Sequence, residues 1–333
     1  MLRRNVLLTM AIIVIAALVF TGCQRREAPD SGRMRVALLL SGPANDQGWN
    51  AVAFQGLQEA EAQYNLITAY MENVGIPDSD AAFTDFASQG FDLVIGHGFH
   101  YGDPAVRVSA RFPNTKFMAI ESNVYSDNAA SYVMACEEGG YLMGILAASM
   151  SNTGIIGIVG AIEQPSIIKI MEAYKLGARL YNPDIVILDA YVNSYTDVTA
   201  GMEAALSMAD RGADVLGHVA NQAGTGVIMA AQERGLLATG DSWDQNVIAP
   251  DTIICSTIYN VPKVVLTAVE KVRNGTFESG VFNLGMREGI VDIAPYYNFE
   301  GRIPQRAKDM VADLKARITR GEYTVPVIER RTN

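Results

Sequence analysis

From Arg35 onward the chain alternates short aliphatic and β-branched runs with longer segments of helical periodicity, and this rhythm restricts the fold more than any other feature. Strands are predicted at 35–40, 66–70, 93–96, 116–120, 155–159, 186–191, 215–219 and 253–257, with helices between them at 51–64, 81–89, 141–150, 167–180 and 199–211. Repeated βα units require parallel sheets covered by helices on both faces, which makes this an α/β chain. Two sheets suit 333 residues better than one, because open sheets seldom hold a dozen strands and single cores split above about 250 residues. The expected organisation is two Rossmann-like lobes, residues 34–128 with about 258–286 and residues 129–257 with about 287–325. The last segment carries a helix at 261–274, strand-like stretches at 281–286 and 290–293, and a helix at 305–320, and so returns to both lobes.

The first residues have a different character. Arg3 and Arg4 precede an apolar run from Val6 to Phe20 that ends in Thr21-Gly22-Cys23, the tripartite form of a secretory signal peptide over residues 1–22. The run is shorter than the roughly 20 apolar residues of a spanning helix. Its ending resembles a bacterial lipobox, which makes Cys23 the lipidation site and residues 23–33 a polar tether. More than one acyl chain gives stable anchoring, since each buried CH₂ contributes about 0.8 kcal/mol. The expected location is therefore extracytoplasmic, anchored to a bacterial membrane by an N-terminal lipid. The net charge of -10 argues against a nucleic-acid partner, which needs a basic face. Only about ten residues separate Cys23 from the first strand, too few for a DNA-binding helix-turn-helix. Cys136 and Cys255 could pair in an oxidising compartment or remain buried thiols, and their spacing does not decide between the two.

Ligands of open α/β sheets bind beyond the carboxyl ends of strands, so the loops there carry the candidates. After the first strand, Asn45 and Asp46 could hydrogen-bond a ligand while Trp49 stacks on it; alternatively Asp46 and Asn50 cap the next helix and Trp49 fills core. The glycines of 96–102 would let Phe99 line a cleft, and His97 and His100 lack the further ligands a metal needs. Glu121 and Ser122 follow the fourth strand, Asn193, Tyr195 and Asp197 follow Val192, and Gly224 lies in a loop that can present backbone N–H groups. Asp241, Ser242 and Trp243 close another strand, where the indole needs a polar partner or a ligand face. No G-x-S-x-G, Walker A or zinc-spaced Cys/His set is present, so neither an enzyme nor an ATPase is expected, and no cofactor.

Asn45-Asp46-x-Gly48-Trp49-Asn50, Glu138-Gly139-Gly140-Tyr141-Leu142-x-Gly144, Gly177-Ala178, Gly224-Thr225-Gly226-Val227 and Asp244-Gln245 occur in this order, and through them the chain resembles the basic membrane protein family of solute-binding lipoproteins, which includes purine nucleoside receptors. The likeness covers most of residues 34–320. It implies a type I periplasmic-binding fold, hinge closure around one small planar ligand, a purine base or nucleoside, and an ABC permease and ATPase as partners of a monomer. It also implies that Asp46, Trp49, Phe99 and Tyr195 hold a purine. Nucleoside-binding members carry an Asp and a Lys where this chain has Ser242 and Tyr259, with Asp241 one residue away, so the resemblance implies a base read more strongly than a ribose. A signalling receptor and a sugar-binding protein of the same fold are the alternatives.

Overall fold

Strand β1 (Arg35–Leu40) is buried at every position but its first, the burial a parallel strand acquires when helices cover both faces. The computed structural model describes residues 32–46 and 48–331. Residues 1–31, which include the expected leader, Cys23 and most of the tether, lie outside the described residues. After β1 come α1 (Trp49–Tyr64), β2 (Ile67–Met71), α2 (Ser79–Ser88), β3 (Leu93–His97), α3 (Gly102–Ser109), β4 (Lys116–Ile120) and β5 (Ala129–Met134). The chain continues through α4 (Cys136–Met150), β6 (Ile155–Gly160), α5 (Pro165–Tyr181), β7 (Val186–Tyr191), α6 (Val198–Asp210), β8 (Val215–Val219), α7 (Gln222–Arg234), β9 (Leu237–Gly240) and β10 (Ile253–Tyr259). It ends with α8 (Val261–Arg273), β11 (Gly280–Leu284), β12 (Val291–Ile293) and α9 (Gln305–Thr319).

These strands form two six-stranded sheets, ordered β11-β5-β4-β3-β1-β2 and β12-β10-β9-β8-β6-β7. All pairings are parallel except β10 with β12. The strand order reverses beside β1 in one sheet and beside β6 in the other, and loops diverge at such a point to leave a crevice. With its covering helices, each sheet makes one lobe of a type I periplasmic-binding fold. The chain passes between lobes after Met134, after Tyr259 and after Leu284, so β11 returns to the first sheet and β12 to the second.

One boundary differs from the sequence pattern, which starts the second lobe at residue 129. Strand β5 pairs with β4 on one side and β11 on the other, and therefore belongs to the first sheet. Its sequence, Ala-Ala-Ser-Tyr-Val-Met, is half small residues and lacks the β-branched density that marks the other strands; only its neighbours make it a strand. Helix α4 then packs on α5 across two glycines. A Cβ on Gly144 would lie 1.9 Å from the Tyr174 carbonyl oxygen, and one on Gly177 would lie 1.9 Å from that of Tyr141. Two of the glycines that carry the family resemblance thus serve close helix packing. Cys136 and Cys255 are both buried free thiols. Among the described residues no helix is long and apolar enough to cross a membrane.

Candidate functional site

The carboxyl ends of both sheets face a shared cleft, lined by residues of both lobes. Seven of the residues singled out from sequence line it: Trp49, Phe99, Glu121, Tyr195, Asp241, Ser242 and Tyr259. The first three come from the first lobe, and the rest follow β7, β9 and the end of β10 in the second.

Trp49 opens α1 and stacks on His97, the last residue of β3, with ring centroids 4.0 Å apart and planes 20° from parallel. The His97 Nε2 lies 2.8 Å from the Trp49 carbonyl oxygen; a carbonyl only accepts, so Nε2 carries the proton. Burial pushes His97 down to about 4, which keeps this ring neutral. With one face of the half-buried indole on His97, the opposite face is the one that can meet a ligand. Phe99 follows Gly98, whose φ of +151° brings the turn back over the end of β3.

Across the cleft stands Asp241. Its Oδ1 accepts from the Thr257 hydroxyl and the Tyr259 phenol, each at 2.8 Å, and its Oδ2 accepts from Ser242 Oγ at 2.9 Å. A carboxylate offers about four acceptor sites, so three hydroxyls leave one. Burial, then the Asp241 charge, raises the Tyr259 pKa well above the ordinary phenol value, so it remains a donor. The loop that aims this carboxylate is held on both flanks. Gln245 Oε1 accepts from the Asp241 amide and meets His218 Nε2, both at 2.9 Å, while Ser242 adopts a left-handed φ of 71°.

Glu121 also has a left-handed φ, 65°, and is buried at the base of the cleft. Its Oε1 accepts from the Met134 amide at 2.6 Å, and its Oε2 lies 3.4 Å from Lys169 Nζ. That ammonium also lies 3.4 Å from Glu137 and donates to the Met134 carbonyl at 2.7 Å. Burial opposes the charge on Lys169, but Glu121 and Glu137 outweigh it and raise its pKa. Burial pushes Glu121 upward, against the pull of Lys169. Tyr195 accepts from Gln164 Nε2 at 2.7 Å, and burial raises its phenol to about 12.

The remaining candidates do not line the cleft. Asp46 is already engaged by protein donors: its carboxylate accepts from the amides of Gly48, Asn50 and Ala51 and from the side chains of Asn50 and, across the cleft, Asn221. It caps α1, and Asn50 belongs to the same cap. Asn45 is exposed beside them. Asp197 caps α6 through the Ala200 amide at 3.0 Å. Gly224 serves packing, since a Cβ there would sit 2.0 Å from the His218 ring. Trp243 is half-buried behind the Asp241 loop, with no hydrogen-bond partner for its Nε1. The cleft also uses Ser41, His100, Cys136, Gln164, Ile170 and Asn221, which sequence reasoning did not select. Ser41, His100, Cys136 and Asn221 lie just beyond strand ends, whereas Gln164 precedes α5 and Ile170 lies within it. Among the described residues no group of three or more His, Cys, Asp or Glu could hold a metal ion.

A family model described as "ABC transporter substrate-binding protein PnrA-like" matches residues 33–321. A purine-binding protein of Brucella abortus (strain 2308) is 30% identical over 324 residues, covering 96% of this chain and 90% of that protein. A protein of Bacillus subtilis (strain 168) named transcriptional activator protein med is 27% identical, covering 90% of this chain and 95% of that one. Among solved structures, an ABC transporter solute-binding protein from Aeropyrum pernix K1 matches with a TM-score of 0.81 and 24% identity, over 88% of this chain and 94% of that one.

Proposed function

This chain belongs to the PnrA-like family of ABC transporter substrate-binding proteins, a family of binding proteins rather than enzymes, and from that premise we propose that its cleft captures a purine base or purine nucleoside for an ABC permease. The observation that carries the reading is the pairing, across one cleft, of a stacking surface with a carboxylate that keeps an acceptor site free. A neutral His97 backs Trp49, and Asp241 faces it with a single acceptor site unused. Flat heteroaromatic rings satisfy both: the face stacks, and one ring or exocyclic N–H donates. The Brucella relative named as purine-binding supports the same class of ligand.

The base is read more strongly than any sugar. A vicinal diol held by one carboxylate needs two acceptor sites, whereas Asp241 retains about one after its three hydroxyl donors. Titrating adenine and adenosine into ligand-free protein tests this. Comparable affinities, or a preference for adenine, are expected; a nucleoside preference above about 100-fold, about 2.7 kcal/mol, would refute it. Mass spectrometry of small molecules released on denaturation tests the ligand class independently.

The protein works as a monomer, extracytoplasmic and tethered through lipid on Cys23. A signalling role is the second reading, favoured by the relative named as a transcriptional activator. Copurification with a permease and ATPase supports transport, and their absence from a crosslinked membrane complex favours signalling.

A further inference from the structure

Asn221 belongs to the second lobe, between β8 and α7, yet its carboxamide reaches the N-terminus of α1 in the first. Its Oδ1 accepts from the Trp49 amide at 3.0 Å, and its Nδ2 donates to Asp46 Oδ2 at 3.1 Å. The Trp49 amide is one of the first-turn N–H groups that a helix cannot pair internally. Asp46 is a rigid acceptor because the α1 cap already holds it. Gly48 makes room for the approach: a Cβ there would lie 2.5 Å from Asn221 Oδ1. Asn221 also carries a φ of 49° with ψ of -127°, a costly conformation for a residue with a side chain, sustained where surrounding contacts hold it.

We propose that Asn221 is a clasp between the lobes, which forms when the cleft closes and sets how long a bound solute stays. Both of its bonds cross from one lobe to the other, so they exist only in the closed arrangement and bias the equilibrium toward it. The residue whose amide it grips is the one whose indole lines the cleft, so the clasp also fixes the stacking ring. Asn221 itself borders the cleft, and a loss of affinity on its removal could come from direct contact with ligand. Gly48 does not border it and reaches the clasp from the other lobe.

The test therefore compares Asn221→Gly, which tolerates the positive φ and removes the carboxamide, with Gly48→Ala, which pushes a methyl group into it. The full chain is used, with adenine as the probe. Dissociation is followed by stopped-flow fluorescence, and amide exchange is measured on peptides spanning residues 44–54. Both variants should release adenine about tenfold faster or more, the loss of one neutral and one charge-assisted bond. Exchange near Trp49 in the loaded state should rise in both, and the double variant should be no worse than the more affected single. Asn221→Asp, which sets a carboxylate against Asp46, should release fast as well and serves if Gly48→Ala does not fold. Release within about twofold of the parent chain for the Asn221 variants overturns the proposal. So does fast release in Asn221→Gly together with unchanged release in a folded Gly48→Ala, which would mean that Asn221 acts through the ligand. Failure of the parent chain to bind adenine counts against the purine reading alone, and the comparison is then run with the solute that copurifies with the protein.

Discussion

Replacing Trp49 with Ala tests the ligand-binding reading most directly. The indole is sandwiched between His97, at 4.0 Å, and the open cleft, so truncation removes the stacking surface on the ligand side. The His97 anchor survives, because Nε2 binds the main-chain carbonyl of residue 49 and not its side chain. Base–aromatic stacking is worth about 1–3 kcal/mol by alanine substitution, so adenine affinity should fall roughly 5- to 150-fold. Trp49→Phe keeps a ring over His97 and should recover most of that loss. Isothermal calorimetry gives the affinities, with circular dichroism confirming the fold. An affinity for Trp49→Ala within about twofold of the parent would refute the argument and leave the indole as packing. Equal losses in the Ala and Phe variants would refute it too, since a stacking role predicts rescue by the smaller ring.

Three further outcomes follow from the same geometry. Tyr259→Phe removes one of the three hydroxyl donors to the buried Asp241 and should destabilise the fold by about 1.5–3 kcal/mol in urea denaturation; an unchanged midpoint would mean that water replaces the phenol. His97 sits at about 4 in the folded chain against an ordinary 6.5, so the unfolded state binds its proton first and stability is lost as pH falls from about 6.5 to about 4, by about 3 kcal/mol for this group. His97→Gln should flatten that part of the pH profile, and equal acid losses in both proteins would place the titration elsewhere. Cys23→Ser should move the protein from the membrane fraction to the soluble one; retention on the membrane would contradict a lipid anchor.

The βα rhythm was legible because strand and helix periodicities are local, and most strands lie within a residue or two of where their apolar runs predict them. Strand β5 was not predicted, and its segment was assigned to the second lobe, because Ala129–Met134 carries a weak pattern and becomes a strand through β4 and β11. The site was legible as a set of loops: the carboxyl ends of β1, β3, β4, β7 and β9 do supply the cleft. Gln164 and Ile170 escaped notice because a glutamine before a helix and an isoleucine within one have no local mark of function.

What the sequence determined by itself is the material of each loop and the sheets' end at which it lies. It could not assign work within a loop, and the two aspartates illustrate why. Asp46 and Asp241 both follow an apolar strand and both sit among small polar residues. Asp46 turns its carboxylate to the free N–H groups of α1, two to five residues along the chain, and has little left for a ligand. Asp241 turns toward Thr257 and Tyr259, 16 and 18 residues away on β10, and keeps an acceptor for the cleft. Tertiary structure alone decided between them, because a carboxylate's role depends on how many donors reach it. The donors that matter arrive from other strands, and for Asp46 one arrives from the other lobe, 175 residues away.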